Sequence, residues 1–115
     1  MKYNKIWGTT SPIFCLNNVE VHRIEINTGG YCSKHIHKHK YNMFFVESGK
    51  LEVKQWQADS ELIDRTILST GEQTIVSPGV PHQFHALENT IAYELYWVSL
   101  EGEDIIRETH GGITP

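Results

Sequence analysis

Turn-forming residues recur along this chain at intervals too short for long helices. They fall at Asn17-Asn18, Gly29-Gly30, Ser48-Gly49, Ala58-Asp59-Ser60, Gly71-Glu72 and the Pro78-Gly79-Val80-Pro81 bend. Between them lie short runs rich in β-branched and aromatic residues, at 19–27, 31–37, 42–46, 51–56, 62–68, 74–76, 83–87 and 91–100. Apolar and polar residues alternate in Val19-Glu20-Val21-His22 and in Leu51-Glu52-Val53-Lys54, the pattern of a half-buried strand. Short strands punctuated by turns, with almost no helix, predict an all-β barrel or sandwich. At 115 residues, one domain covering 1–115 is expected.

Local features refine this outline. Lys5-Ile6-Trp7-Gly8 reads as a short edge strand and turn with Trp7 as packing, followed by an apolar run at 13–16. The alternation in 19–27 slips near Arg23-Ile24, which predicts a bulge or a strand buried on both faces, and His22 reads as a surface strand residue. Gly49-Lys50 joins two strands as a hairpin. Two prolines around Gly79 exclude a central strand there and predict a rigid bend that ends at His82. The acidic start at Glu101-Gly102-Glu103-Asp104 predicts a short helix over 101–108.

Composition excludes several classes of function. A formal charge of −4 lacks the basic surface that phosphate neutralisation needs, so nucleic acid is not an expected partner. No run approaches the roughly 20 apolar residues of a membrane span, and MKYNKIWGTT has no apolar signal core, so a cytoplasmic location is expected. Cys15 and Cys32 are expected to be reduced and structural.

The chemistry concentrates between Gly29 and Gly49, in GGYCSKHIHKHKYNMFFVESG. His35, His37 and His39 occupy alternate positions, which in a strand share one face. Imidazoles gathered this way repel one another when charged, whereas a divalent metal uses their neutral form as ligands. The rigid bend before His82 suits a further ligand whose direction must be held. Strand parity places Cys32 on the face opposite His35, which argues against a catalytic thiol, and His85 opposite His82.

These spacings resemble the cupin family. Its first motif runs Gly, five residues, His, one residue, His, three or four residues, Glu, six residues, Gly. The chain offers Gly29, five residues, His35, Ile36, His37, four residues, Asn42, six residues and Gly49, with asparagine in place of glutamate. Gly71, Gly79 and His82 match the second motif, with Ser77 where the family has proline and Ala86 where it has asparagine. The resemblance implies a jelly-roll β-barrel holding a divalent metal (Zn, Mn, Fe, Co or Ni) on His35, His37 and His82, with Asn42 at the fourth protein position. A His37/His39 pair is the rival arrangement, two residues short of Asn42.

Further stretches are similar to the cupin module that ends type II phosphomannose isomerases: Lys5-Ile6-Trp7-Gly8, Ser33, Leu87-Glu88-Asn89 and Gly102-Glu103-Asp104-Ile105-Ile106-Arg107. That module has glutamine at the position of His35 and glutamate at that of Asn42, and its ending after the arginine differs. The attached nucleotidyltransferase half of the bifunctional enzymes has no counterpart here. This resemblance implies a metal-dependent isomerase or epimerase of a sugar or sugar phosphate. Arg107 would clamp an anionic group, and Glu94 and Lys40 are the candidate acid and base. A three-histidine iron-dependent dioxygenase and a non-catalytic carbohydrate-binding cupin are the alternatives. A homodimer through an added N-terminal strand is expected.

Overall fold

The computed structural model describes residues 1–57, 60–99, 111, 113 and 114. Among these it forms nine strands: β1 (Tyr3–Lys5), β2 (Gly8–Cys15), β3 (Val19–Ile26), β4 (Tyr41–Ser48), β5 (Leu51–Trp56), β6 (Ile63–Leu68), β7 (Gln73–Val76), β8 (His82–Ala86) and β9 (Thr90–Trp97). A six-stranded sheet has the order β1-β2-β3-β9-β4-β7, and a three-stranded sheet has the order β6-β5-β8. Every strand pair is antiparallel. The chain is therefore all-β, a jelly-roll barrel of two sheets facing one another. No described helix is long and apolar enough to cross a membrane. The short helix expected over 101–108 lies outside the described residues, as does Arg107.

Alternation along the strands produces the barrel's inner lining, with the phase opposite to the apolar pattern at the start of β3, where Glu20 and His22 rather than Val19 and Val21 share the face of buried Ile24 and Ile26. Asn42, Phe44 and Val46 of β4 and His82, Phe84 and Ala86 of β8 are buried, while their neighbours in each strand face outward. Ile24, Ile26, Leu51, Val53, Val76 and Ala92 complete the centre of the core. Trp7, in the turn after β1, packs edge-on against Phe84 at 5.0 Å, which gives it the expected packing role.

Two glycines are tied to this architecture. Gly49, at φ 101°, turns β4 into β5 where an added Cβ would lie 2.3 Å from the Asn89 carbonyl oxygen. Gly79, at φ 83°, follows Pro78 in a turn closed by Val80 N–H donating to the Ser77 carbonyl at 3.3 Å. Pro before a glycine of positive φ is the composition of a type II turn. The bend predicted from the prolines is therefore a tight turn that delivers the chain into β8 at His82.

Four readings of the strands need correction. The segment 31–37 is extended but is no regular strand; it touches β8 through isolated bridges, Tyr31 to His85 and His35 to His82. Cys32 N–H bonds the Phe84 carbonyl and His35 N–H bonds the His82 carbonyl, so three steps along the segment match two along β8. That extra residue reverses the parity, and Cys32 lines the same cavity as His35 rather than the opposite face.

The irregularity sought in 19–27 lies instead in β2, where the register shifts between Pro12 and Phe14; β3 pairs with β9 without a break. His22, read as a surface residue, points inward and lines the cavity.

Candidate metal centre and adjoining cavity

The segment 31–37, the Pro78-Gly79 turn and β8 converge on three imidazoles. His35 and His82 have ring centroids 4.5 Å apart, His35 and His37 5.0 Å, and His37 and His82 5.2 Å. One ring nitrogen from each lies within 4.8 Å of the others. The backbone fixes these positions. His35 and His82 exchange both main-chain hydrogen bonds, at 3.1 and 3.0 Å, and Gly79 N–H donates to the His37 carbonyl at 2.8 Å. The turn thus holds the segment that carries His37 as well as aiming His82.

The rings are oriented for ligation. His35 Nδ1–H donates to the Ser33 carbonyl at 2.7 Å, and His82 Nδ1–H donates to the Val80 carbonyl at 2.9 Å. A carbonyl only accepts, so each Nδ1 carries the hydrogen and each Nε2 keeps its lone pair. Such backbone contacts to the remote nitrogen set tautomer and ring direction in metal-binding histidines. Burial pushes the His82 pKa down to about 4, and burial also lowers that of His37, with the neighbouring imidazoles adding to both shifts. At neutral pH both are uncharged, the form that binds a metal.

Asn42 is fully buried on β4, in register with Val76 on one side and Tyr96 on the other. Its Nδ2–H reaches the Leu95 carbonyl only at 3.4 Å. Among the described residues, the buried side-chain polar atoms without a partner are His37 Nε2, His82 Nε2 and Asn42 Oδ1. All three belong to the ligand set suggested by the motif spacing, and each offers a lone pair. Buried polar atoms are normally satisfied, and leaving one unpaired costs about 1–3 kcal/mol. Two of these atoms belong to imidazoles of the cluster, and donors gathered at that cost fit a divalent cation. His39 is exposed and stands outside the cluster, and His85 faces away, lining a separate cavity with Tyr31, Lys54 and Gln83.

Beside the triad lies a cavity of about 280 Å³ walled by Lys5, Trp7, Thr10, His22, Cys32, Ser33, His35, Phe84, Glu94 and Tyr96. Burial raises the Glu94 pKa to about 7, while the Tyr96 hydroxyl draws it partly back. Burial raises that of Tyr96 far above the ordinary range, keeping it a neutral donor. The Cys32 thiol is pushed up to about 11 by burial and accepts the Phe84 N–H at 3.2 Å. It is an inert core thiol. Lys40 is paired with Glu20 at 2.5 Å and does not line this cavity. Sequence reasoning missed Tyr96 and Lys5. Glu94 and Tyr96 alternate on the face that carries buried Ala92, so two polar residues on an inward face were the available signal.

A two-sheet β-barrel carrying a cluster of three imidazoles beside a small cavity defines a metal-capable barrel protein. The cupin domain profile matches residues 22–99, and the chain belongs to that family. Cupins commonly bind divalent metals. No curated protein sequence matches the chain. Among solved structures, KdgF from Halomonas sp. is similar at 15% identity, with a TM-score of 0.74 over 87% of this chain and 89% of that one. An oxalate decarboxylase of Bacillus subtilis matches at 16% identity and a TM-score of 0.74, over 85% of this chain but 27% of its own. CapF, solved with an inhibitor, matches at 20% identity and a TM-score of 0.72, over 90% of this chain and 31% of its own. At these identities the likeness is one of fold.

Proposed function

We propose that this cupin is a metal-dependent isomerase or epimerase of a sugar or sugar phosphate, with Glu94 moving the proton. The observation that carries this reading is the Glu94 carboxyl and the Tyr96 hydroxyl lining one cavity with His35, and burial raises the Glu94 pKa to about 7. A group that titrates at the working pH can both take and return a proton, as interconversion at adjacent carbons requires. The carboxylate of Glu94 would remove a proton from the carbon beside a carbonyl, and the resulting acid would return it to the former carbonyl carbon, while the hydroxyl proton of the first carbon passes to the former carbonyl oxygen. Tyr96, held neutral, would donate to a substrate oxygen.

His35, His37 and His82 through their ring nitrogens, and Asn42 through Oδ1, are the residues that would hold a divalent ion. Once bound, that ion supplies Lewis acidity to a carbonyl oxygen. The Mn(II) centres of oxalate decarboxylase support a divalent ion on this kind of barrel. A neutral amide in place of a carboxylate leaves the ion's charge undiminished, which weakens binding and strengthens polarisation.

The cavity lies just below the ligand-pocket range of roughly 300–1,000 Å³, which suits a compact substrate. Lys5 lines it and offers a cation to a phosphate or carboxylate. Arg107 is retained as a candidate clamp outside the described residues.

Deuterium exchange tests the reading directly. The protein, loaded with each divalent metal in turn, is incubated in D2O with mannose 6-phosphate and related sugars and followed by NMR. Deuterium should enter at the carbon next to the carbonyl with wild type and not with Glu94→Gln. Sugar binding without exchange under every metal would favour a non-catalytic carbohydrate-binding cupin. Oxygen uptake by the iron form without exchange would favour a dioxygenase.

A further inference from the structure

The β-bulge in β2 has a chemical result away from the histidine triad. In unbroken register after Pro12 opposite His22, Phe14 would face Glu20 and Cys15 would face Val19. The extra residue puts Phe14 opposite Val21 and Cys15 opposite Glu20. Residues directly opposite in an antiparallel pair share a face, and Glu20 shares its face with His22 two positions on. The bulge therefore turns Cys15 onto the face that carries Glu20 and His22. Bulges are a recognised means of re-aiming a side chain.

The result is compact. One ligand atom from each of Cys15, Glu20 and His22 lies within 4.8 Å of the others. His22 Nε2 is 3.5 Å from Glu20 Oε1, while Lys40 holds the other carboxylate oxygen at 2.5 Å. Lys40 makes the Glu20 pKa lower than usual, so the carboxylate stays charged. Cys15 is a free, exposed thiol, which leaves the group open to ions from solvent. The Tyr96 ring contacts both groups edge-on, 5.8 Å from His22 and 5.0 Å from His37, and the two groups share no residue.

We propose that Cys15, Glu20 and His22 form a second divalent-metal site, distinct from the histidine triad. Sulfur, nitrogen and carboxylate oxygen are together the donor set of Zn²⁺ and its spectroscopic substitute Co²⁺; the thiolate selects against Mg²⁺ and Ca²⁺. Three protein donors leave one tetrahedral position for water or a ligand. The site stands independently of the function proposed for the cavity.

Cobalt titration tests it, because only a thiolate-ligated ion gives a sulfur-to-metal charge-transfer band. Full-length protein is stripped with a chelator, kept reduced without added thiols, and titrated with Co²⁺. The band should saturate at one ion per chain and be absent from Cys15→Ser. His82→Ala, which removes a donor only from the triad, should keep it, so failure of the triad and failure of this site read out separately. His22→Ala should weaken the affinity reported by the band at least about tenfold, the scale on which even supporting residues act. No band in wild type, a band that survives Cys15→Ser, or an affinity unchanged in His22→Ala would overturn the proposal.

Discussion

Asn42→Leu separates stability from metal binding at a single atom. The substitution keeps the branch at Cγ and removes both polar atoms from a fully buried position. Oδ1 has no partner, and the bond from Nδ2 to the Leu95 carbonyl is long at 3.4 Å. Relief of the unpaired acceptor returns about 1–3 kcal/mol, and loss of the weak bond subtracts about 0.5 kcal/mol. The metal-free variant should therefore be more stable than wild type by roughly 1–2 kcal/mol, raising Tm by about 4–10 °C. Metal should erase that advantage. Wild type at an ion concentration 100-fold above Kd gains about 2.7 kcal/mol. Each tenfold loss of affinity in the variant removes about 1.4 kcal/mol of that gain. Thermal unfolding with chelator, then with each divalent metal, reads both arms. A metal-free variant less stable than wild type, or one whose metal-dependent shift in Tm is undiminished, refutes the reasoning.

Three further expectations follow from the same geometry. His82→Ala should abolish stoichiometric metal binding at the triad in elemental analysis; undiminished content at that site would remove His82 from the ligand set. Glu94, with its folded pKa raised from 4.5 to about 7, stabilises the fold fully below pH 4.5 and loses that contribution as pH rises through 7. The loss is on the order of 3 kcal/mol and is opposed in wild type by His82, whose lowered pKa adds stability over nearly the same range, so stability of Glu94→Gln should rise with pH between 4.5 and 7 more steeply than that of wild type in urea titrations, and an unchanged slope would count against a raised pKa. Gly49→Ala combines a left-handed backbone with a Cβ 2.3 Å from the Asn89 carbonyl oxygen. It should cost about 2–4 kcal/mol, seen as a fall in the urea midpoint, and a midpoint like wild type's would show that the hairpin yields at no cost.

The barrel was legible wherever a strand carries its own alternation. Leu51 and Val53, set against Glu52 and Lys54, announce an inward face regardless of what pairs with them, whereas Val19 and Val21 alternate on the outer face while Glu20 and His22 share the face of buried Ile24 and Ile26. The Pro78-Gly79 turn was legible for the same reason, since both residues restrict their own dihedrals. The bulges were not. An extra residue exists only relative to a partner strand, so the irregularity in β2 and the one before His35 depend on β3 and β8. The miscounted parity of Cys32 follows from that, and so does the reading of Cys15 as merely structural, with no hint that it stands opposite Glu20. The inward turn of His22 escaped for another reason, because an exposed-strand assignment rests on polarity alone and a cavity wall is polar too. At the triad, spacing named the residues, while the carbonyls that orient their rings come from Ser33 and Val80, whose identities carry no signal.

The histidines and the residues that face them come from opposite sheets. The backbone that positions His35, His37 and His82 is bonded along β8 and its turn, whereas His22, Glu94 and Tyr96 project from β3 and β9. The main-chain support of the three imidazoles and the wall that faces them thus belong to different sheets. Side chains on β3 and β9 can be exchanged without disturbing the main-chain bonds that hold the imidazoles. A library confined to positions 22, 94 and 96 is accordingly the shortest route to altered chemistry on this frame.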